Sequence, residues 1–173
     1  MEIKKKFILT IVLLSYLATA INAAIVITGL ENMAKDLDLN QSVLSWVQNS
    51  YVLAWGCFML LGGRLSDAFG RRSILNLSLL LFGIGSLFAG IATSATILIL
   101  SRFIQGVGAS ILAPTSLALI MDYFTGEERI KAIAWYSSIS GLGMCIGLVM
   151  GGTLASFLSW RYGFFIYLPL IVF

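Results

Sequence analysis

The chain has 173 residues, of which 59% are hydrophobic and 11% charged, where an ordinary soluble domain carries roughly 25% charged residues; a mean hydropathy of +0.96 completes the composition of a chain that lives in a bilayer. The absence of histidine and the wide separation of the two cysteines, Cys57 and Cys145, leave no ligand set for a structural zinc or haem and no Cys/His or Ser/His arrangement, so neither an enzyme nor a cofactor is expected. The eleven Lys and Arg residues behind the net charge of +3 stand singly or in groups of two or three between apolar runs, which is not the basic face of a nucleic-acid binder.

Lys4, Lys5 and Lys6 precede an apolar stretch ending in Ala18-Thr19-Ala20, a pattern shared with removable targeting signals. The apolar run continues without a charge from Phe7 to Leu30, longer than the roughly 20 residues that cross a bilayer, and so predicts a retained first helix over 7–30. Four more spans follow at 43–62, 73–93, 97–121 and 132–158. A sixth, over 162–173, has twelve residues, a rise of about 18 Å that stops inside the hydrocarbon, so the chain reads as cut within that helix. The expected fold is therefore an all-α polytopic membrane bundle of five full transmembrane helices and a truncated sixth. Three basic residues precede the first span, three lie in 63–72 and two in 122–131, while the opposite side has Lys35 and Arg161. This bias predicts an integral membrane protein with a cytoplasmic N-terminus.

The connection Gly63-Arg64-Leu65-Ser66-Asp67-Ala68-Phe69-Gly70-Arg71-Arg72 reads as a tight turn. Its glycines permit a sharp reversal, and Asp67 can accept charge-assisted bonds from Arg71, Arg72 or a helix N-terminus. By itself it reads first as a solvated, positively charged loop. In the fourth span, Arg102 lies within hydrocarbon at a cost of at least roughly 2.5 to 3.5 kcal/mol on insertion scales, which makes it a functional candidate unless it snorkels to the nearby outer interface. In the fifth span, Gly143, Gly147 and Gly151 recur every four residues, with Gly152 alongside. That spacing lets a second helix approach closely.

Three of these segments resemble signatures of the major facilitator superfamily: Gly63 to Arg72 its G-x-L-x-D-x-x-G-R-R loop, Arg102 to Ala109 its R-x-x-Q-G-x-G-A segment, with Gly106 and Gly108 as packing glycines, and Gly143 to Gly152 its fifth-helix antiporter pattern. Leu148 stands where the last pattern has proline. Trp46-Val47, Tyr51-Val52-Leu53, Glu128 to Ala132 and Trp160-Arg161 through Pro169 are similar to the drug:proton antiporter branch with fourteen helices, although Tyr167 replaces a usual asparagine. Asn22 stands where that branch carries an aspartate in its first helix, and it cannot titrate.

The resemblance implies the N-terminal half of a transporter's helical bundle, exporting small molecules by alternating access in exchange for protons. It implies as partners the bilayer, a small-molecule substrate, protons and a missing C-terminal half in the same or a separate chain. Gly63, Asp67, Gly70, Arg71 and Arg72 would form a gating loop. Depth arithmetic places Asn22 about 22 Å from the inner boundary, with Asn49 and Arg102 about 8 or 9 Å from the outer one, so that with Gln48 and Gln105 they share a polar belt for the transport cavity. Aromatic residues such as Tyr51, Trp135 and Tyr136 are further candidates to line it. Arg102 finds no carboxylate at its own depth, Glu31 lying roughly 13 Å further out along the first helix, and is expected to be held by neutral acceptors such as Asn22, Asn49 and backbone carbonyls, or to await an acidic group from the missing half. Two other readings stay open on the sequence: a non-transporting remnant or regulatory fragment, and a small homo-oligomeric channel or half-transporter.

Overall fold

The computed structural model describes residues 2–171, almost all of them helical: α1 Glu2–Asp36, α2 Gln41–Phe69, α3 Arg71–Gly90, α4 Ala95–Tyr123, α5 Gly126–Phe157 and the short α6 Tyr162–Phe165, followed by a 3-10 turn at Leu168–Ile171. The first five are long and apolar enough to cross a membrane. They fulfil the expected all-helical fold, but most outrun the apolar spans read from the sequence. Apolarity marks the hydrocarbon slab, while Lys, Glu and Asp beyond it are compatible with continuing the helix.

The ends are set by local chemistry. Asn40 accepts a bond from the Val43 N–H at 2.9 Å to start α2, and Ser94 caps α4 through the Ile97 N–H at 3.4 Å. The tight turn expected over 63–72 is replaced by one break: α2 runs through Gly63 to Phe69, and only Gly70, at φ +89°, leaves the helical region before Arg71 opens α3. Beyond Phe157 the continuous helix expected over 162–173 also gives way. After α6 the chain enters a 3-10 turn at Leu168, where Pro169 lacks an N–H and disfavours α geometry in the residue before it; residues 172 and 173 lie outside the described residues.

In the bundle, α4 packs between α2 and α3 while α1 lies along α5. Glycines set the closest approaches. An added methyl at Gly143 or Gly147 would fall 2.7 Å from the Cβ of Ala20 or Ala24, and one at Gly151 would meet Thr28 and Ile25, so all three glycines seat α5 on α1. Gly152 does not join them: one residue on, about 100° around the helix, it has no neighbour within 4 Å of such a methyl. On α4, Gly106 faces Tyr51 and Ala54 of α2, and Gly108 faces Ser78 and Phe82 of α3. Two apolar clusters form, one around Leu75, Leu112, Ile120 and Tyr136, the other around Met33, Val47, Leu98 and Phe164.

Candidate functional site

A polar network centres on Arg102, which is 1% exposed. Its position follows from small residues on neighbouring turns. Gly106, one turn beyond Arg102 on the same face of α4, brings α2 close enough that the Arg102 Nε–H donates to the Val47 carbonyl at 3.4 Å and the guanidinium lies 4.2 Å from the Tyr51 ring centroid. Gly85 admits α3: a methyl there would lie 2.6 Å from Gln105 Cγ, and the Gln105 side chain passes it to donate to Ser86 Oγ at 2.7 Å. The Arg102 Nη1 donates to Gln105 Oε1 at 2.7 Å and to Asn22 Oδ1 of α1 at 2.9 Å.

Three helices therefore meet on one cation, and α3 joins them through the Gln105 side chain. Every acceptor is neutral, and no carboxylate among the described residues lies within ion-pair distance; Glu31 instead pairs with Lys35 at 2.7 Å. Such bonds to a buried charge contribute about 1.5 to 3 kcal/mol each, and a desolvated cation–π contact about 2 kcal/mol. Together they offset desolvation of the guanidinium without cancelling its charge. The amide nitrogen of Asn22 stays unpartnered.

The structure separates the expected polar belt. Asn22, Arg102 and Gln105 come together, whereas Gln48 is half-buried without a bond to the network and Asn49 is exposed. Asn49 was expected to hold Arg102 because it shares its depth, but it stands two residues beyond Val47, about 200° around α2, so the Val47 carbonyl takes that role. Ser86 carried no signal separating it from other serines in the spans.

Arg102 is not itself in the open cleft. A cleft of about 580 Å³ lies between α1, α2, α4 and α5, walled by Tyr16, Thr19, Tyr51, Trp55, Ala113 and Ser140 among others. Among the described residues no charged side chain lines it, and Tyr51 belongs both to its wall and to the cation–π contact with Arg102. Of the other aromatic candidates, Tyr136 is buried, stacks on Tyr16 at 4.2 Å and donates to the Ala113 carbonyl at 3.2 Å, while Trp135 lines a different groove beside Lys5 and Lys6.

At the end of the bundle bearing Gly70, Arg71 joins three groups. Its Nη2 donates to Asp67 at 3.2 Å, and its Nη1 reaches Asp122 and the Ala118 carbonyl, both at 2.6 Å. Asp67 and Arg71 of the motif thus meet. Asp122, at the far end of α4, lies 55 residues beyond Asp67 and outside the motif, so only the fold brings it there. Arg72 points elsewhere, with no ion pair among the described residues, and Gly63 lies within α2 near Pro114. Arg129 donates to the Phe124 and Met121 carbonyls and closes the C-terminus of α4. At the other end Asp36 accepts from Arg161 at 2.9 Å and from the Trp160 indole at 3.2 Å.

Comparison with known proteins gives this arrangement its class. The family model described as Major Facilitator Superfamily matches residues 12–173, and the chain belongs to that family of membrane transporters. It is 40% identical over 162 residues to the puromycin resistance protein pur8 of Streptomyces alboniger, covering 93% of this chain and 32% of that protein. To multidrug resistance protein 3 of Bacillus subtilis (strain 168) it is 34% identical, covering 95% and 32%. The chain thus spans about a third of the length of these relatives. The solved structure of the proton:xylose symporter XylE superposes with a TM-score of 0.81 at 18% identity, covering 95% of this chain and 43% of that one, which shows the shared fold.

Proposed function

We propose that this chain forms the N-terminal part of a proton-driven exporter of small, largely apolar molecules, working by alternating access in the cell membrane with its N-terminus in the cytoplasm. The observation that carries the reading is the aromatic-walled, uncharged cleft with a buried cation behind Tyr51. Relatives named for puromycin and multidrug resistance support export of drug-like compounds. Helices beyond these residues, in the same or a separate chain, complete the cleft and enclose the substrate, as in transporters built from two repeats around a midplane site. Asn22 cannot titrate, so the group that exchanges protons lies elsewhere than at this position of α1. Asp67, Arg71 and Asp122 latch α2, α3 and α4 at the cytoplasmic end in one state of the cycle.

The test is accumulation of puromycin and of an apolar dye in efflux-deficient cells carrying the protein in which these residues and the completing helices are both present. Low accumulation that a protonophore reverses is expected, with Tyr51→Ala or Arg102→Ala restoring accumulation and residues 1–173 alone giving no efflux. Efflux that survives the protonophore would remove the proton coupling. Full efflux by Arg102→Ala, or by residues 1–173 alone, would remove the site or the need for a second half.

A further inference from the structure

One end of the bundle gathers Lys5, Lys6, Arg64, Arg71, Arg72, Arg129 and Lys131 around the α2–α3 and α4–α5 connections. There α1, α3 and α4 leave a groove of about 280 Å³ that is separate from the transport cleft and shares no lining residue with it. Its α3 wall is one helical stripe: Arg72, Leu75, Asn76 and Leu79 follow one another at i, i+3, i+4 and i+7. Along this stripe the two polar positions, Arg72 and Asn76, are exposed, whereas Leu75 between them is buried and Leu79, about one turn further in than Asn76, is half-buried. Ile11 of α1 and Leu119 of α4 close the apolar part, and Tyr123 of α4 stands at the level of the polar part.

The two neighbouring arginines are used differently. Arg71 is neutralised by two carboxylates, whereas Arg72 has no ion pair among the described residues and lines the groove. A cation at the membrane edge above an apolar slot about one helical turn deep matches the layering of a phospholipid, phosphate above the first part of an acyl chain. Acyl chains alone would fill the slot in any bilayer; the free cation adds a preference for net negative charge. We propose that this groove is a binding site for an anionic phospholipid of the adjoining leaflet, its phosphate on Arg72 and Asn76 and one acyl chain between α1, α3 and α4.

Basic residues near a membrane surface attract anionic lipid by about 1 kcal/mol each, which is roughly a fivefold preference. The test is native mass spectrometry of the full chain in neutral detergent, titrated with dioleoyl phosphatidylglycerol and, separately, dioleoyl phosphatidylcholine. Wild type should prefer phosphatidylglycerol by roughly fivefold. Arg72→Ala should bring the two lipids to parity, Arg64→Ala should keep the preference, and Asn76→Trp, which fills the mouth from an exposed position, should weaken both lipids. Glycerol phosphate, which lacks acyl chains, should not compete. A preference that survives Arg72→Ala, or one lost equally in Arg64→Ala, would assign the attraction to general surface charge. Competition by glycerol phosphate would make the site a plain anion site, and either result overturns the proposal.

Discussion

Arg102 and Arg71 are both held by helices other than their own, yet their surroundings are opposite. Arg71, with 28% of its side chain exposed at the helix ends, has two carboxylates within 3.2 Å. Arg102, 1% exposed inside the bundle, has two amide oxygens, a carbonyl and an aromatic ring. The difference follows from what each depth permits. At the edge an aspartate keeps part of its hydration, whereas a carboxylate in hydrocarbon adds its own insertion cost of several kcal/mol. Oriented dipoles solve the deep case at lower cost. They leave the charge in place, so the wall of the cleft hides a positive potential behind Tyr51 while the latch carries two negative charges against one positive.

If the deep cation depends on neutral acceptors, removing one must cost more than removing a carboxylate at the edge. Asn22→Leu takes away one bond to a buried charge and should destabilise the bundle by about 2 to 3 kcal/mol. The midpoint of thermal unfolding in detergent measures it. A wild-type midpoint would mean that Arg102 has water or another acceptor in reserve, and the contrast between the two arginines would lose its energetic basis.

That contrast was partly legible in the sequence. Hydropathy located the five crossing helices and the depth of each polar residue, and depth alone paired Asn22 with Arg102. Azimuth is the second coordinate, and it separates residues that depth leaves together: Asn49 turns away from Arg102 while the Val47 backbone turns toward it, and Gly152 leaves the stripe that Gly151 completes. Backbone acceptors such as the Val47 carbonyl carry no residue-type signal at all. The latch was visible only as far as the motif extends, since Asp122 enters through tertiary packing of α4 on α3. The turn expected over 63–72 failed because charged residues end a hydrophobic run without ending a helix.

At the edge, the effects should be smaller and sensitive to salt. Asp122→Asn removes the closer of the two carboxylates, 2.6 Å from Arg71 and half exposed. A loss of about 1 kcal/mol is expected, at the upper end for an accessible pair. Raising the ionic strength should shrink the difference from wild type, because exposed charges are screened over a Debye length of about 8 Å at physiological salt. An effect as large as that of Asn22→Leu, unchanged by salt, would place Asp122 in a setting as dry as that of Arg102 and erase the comparison.

The smallest change in stability is expected at Asp67. It is the more distant partner of Arg71, at 3.2 Å, with 67% of its side chain exposed, and it sits one turn before Arg71 across the Gly70 break. Asp67→Asn keeps the shape and a hydrogen-bond acceptor and removes only the charge, so about 0.5 kcal/mol or less should be lost. The consequence for transport need not scale with that figure. An interaction made in one state of a cycle and broken in another shifts the balance between them by its full value, whatever its share of total stability. In the completed transporter, Asp67→Asn should therefore slow efflux while leaving membrane insertion and the unfolding midpoint close to wild type. Asp122→Asn should slow it as well, since both carboxylates hold the same guanidinium. Wild-type efflux in a normally inserted Asp67→Asn variant would show that Arg71 and Asp122 suffice for the latch, and that Asp67 contributes no more than a solvated surface charge.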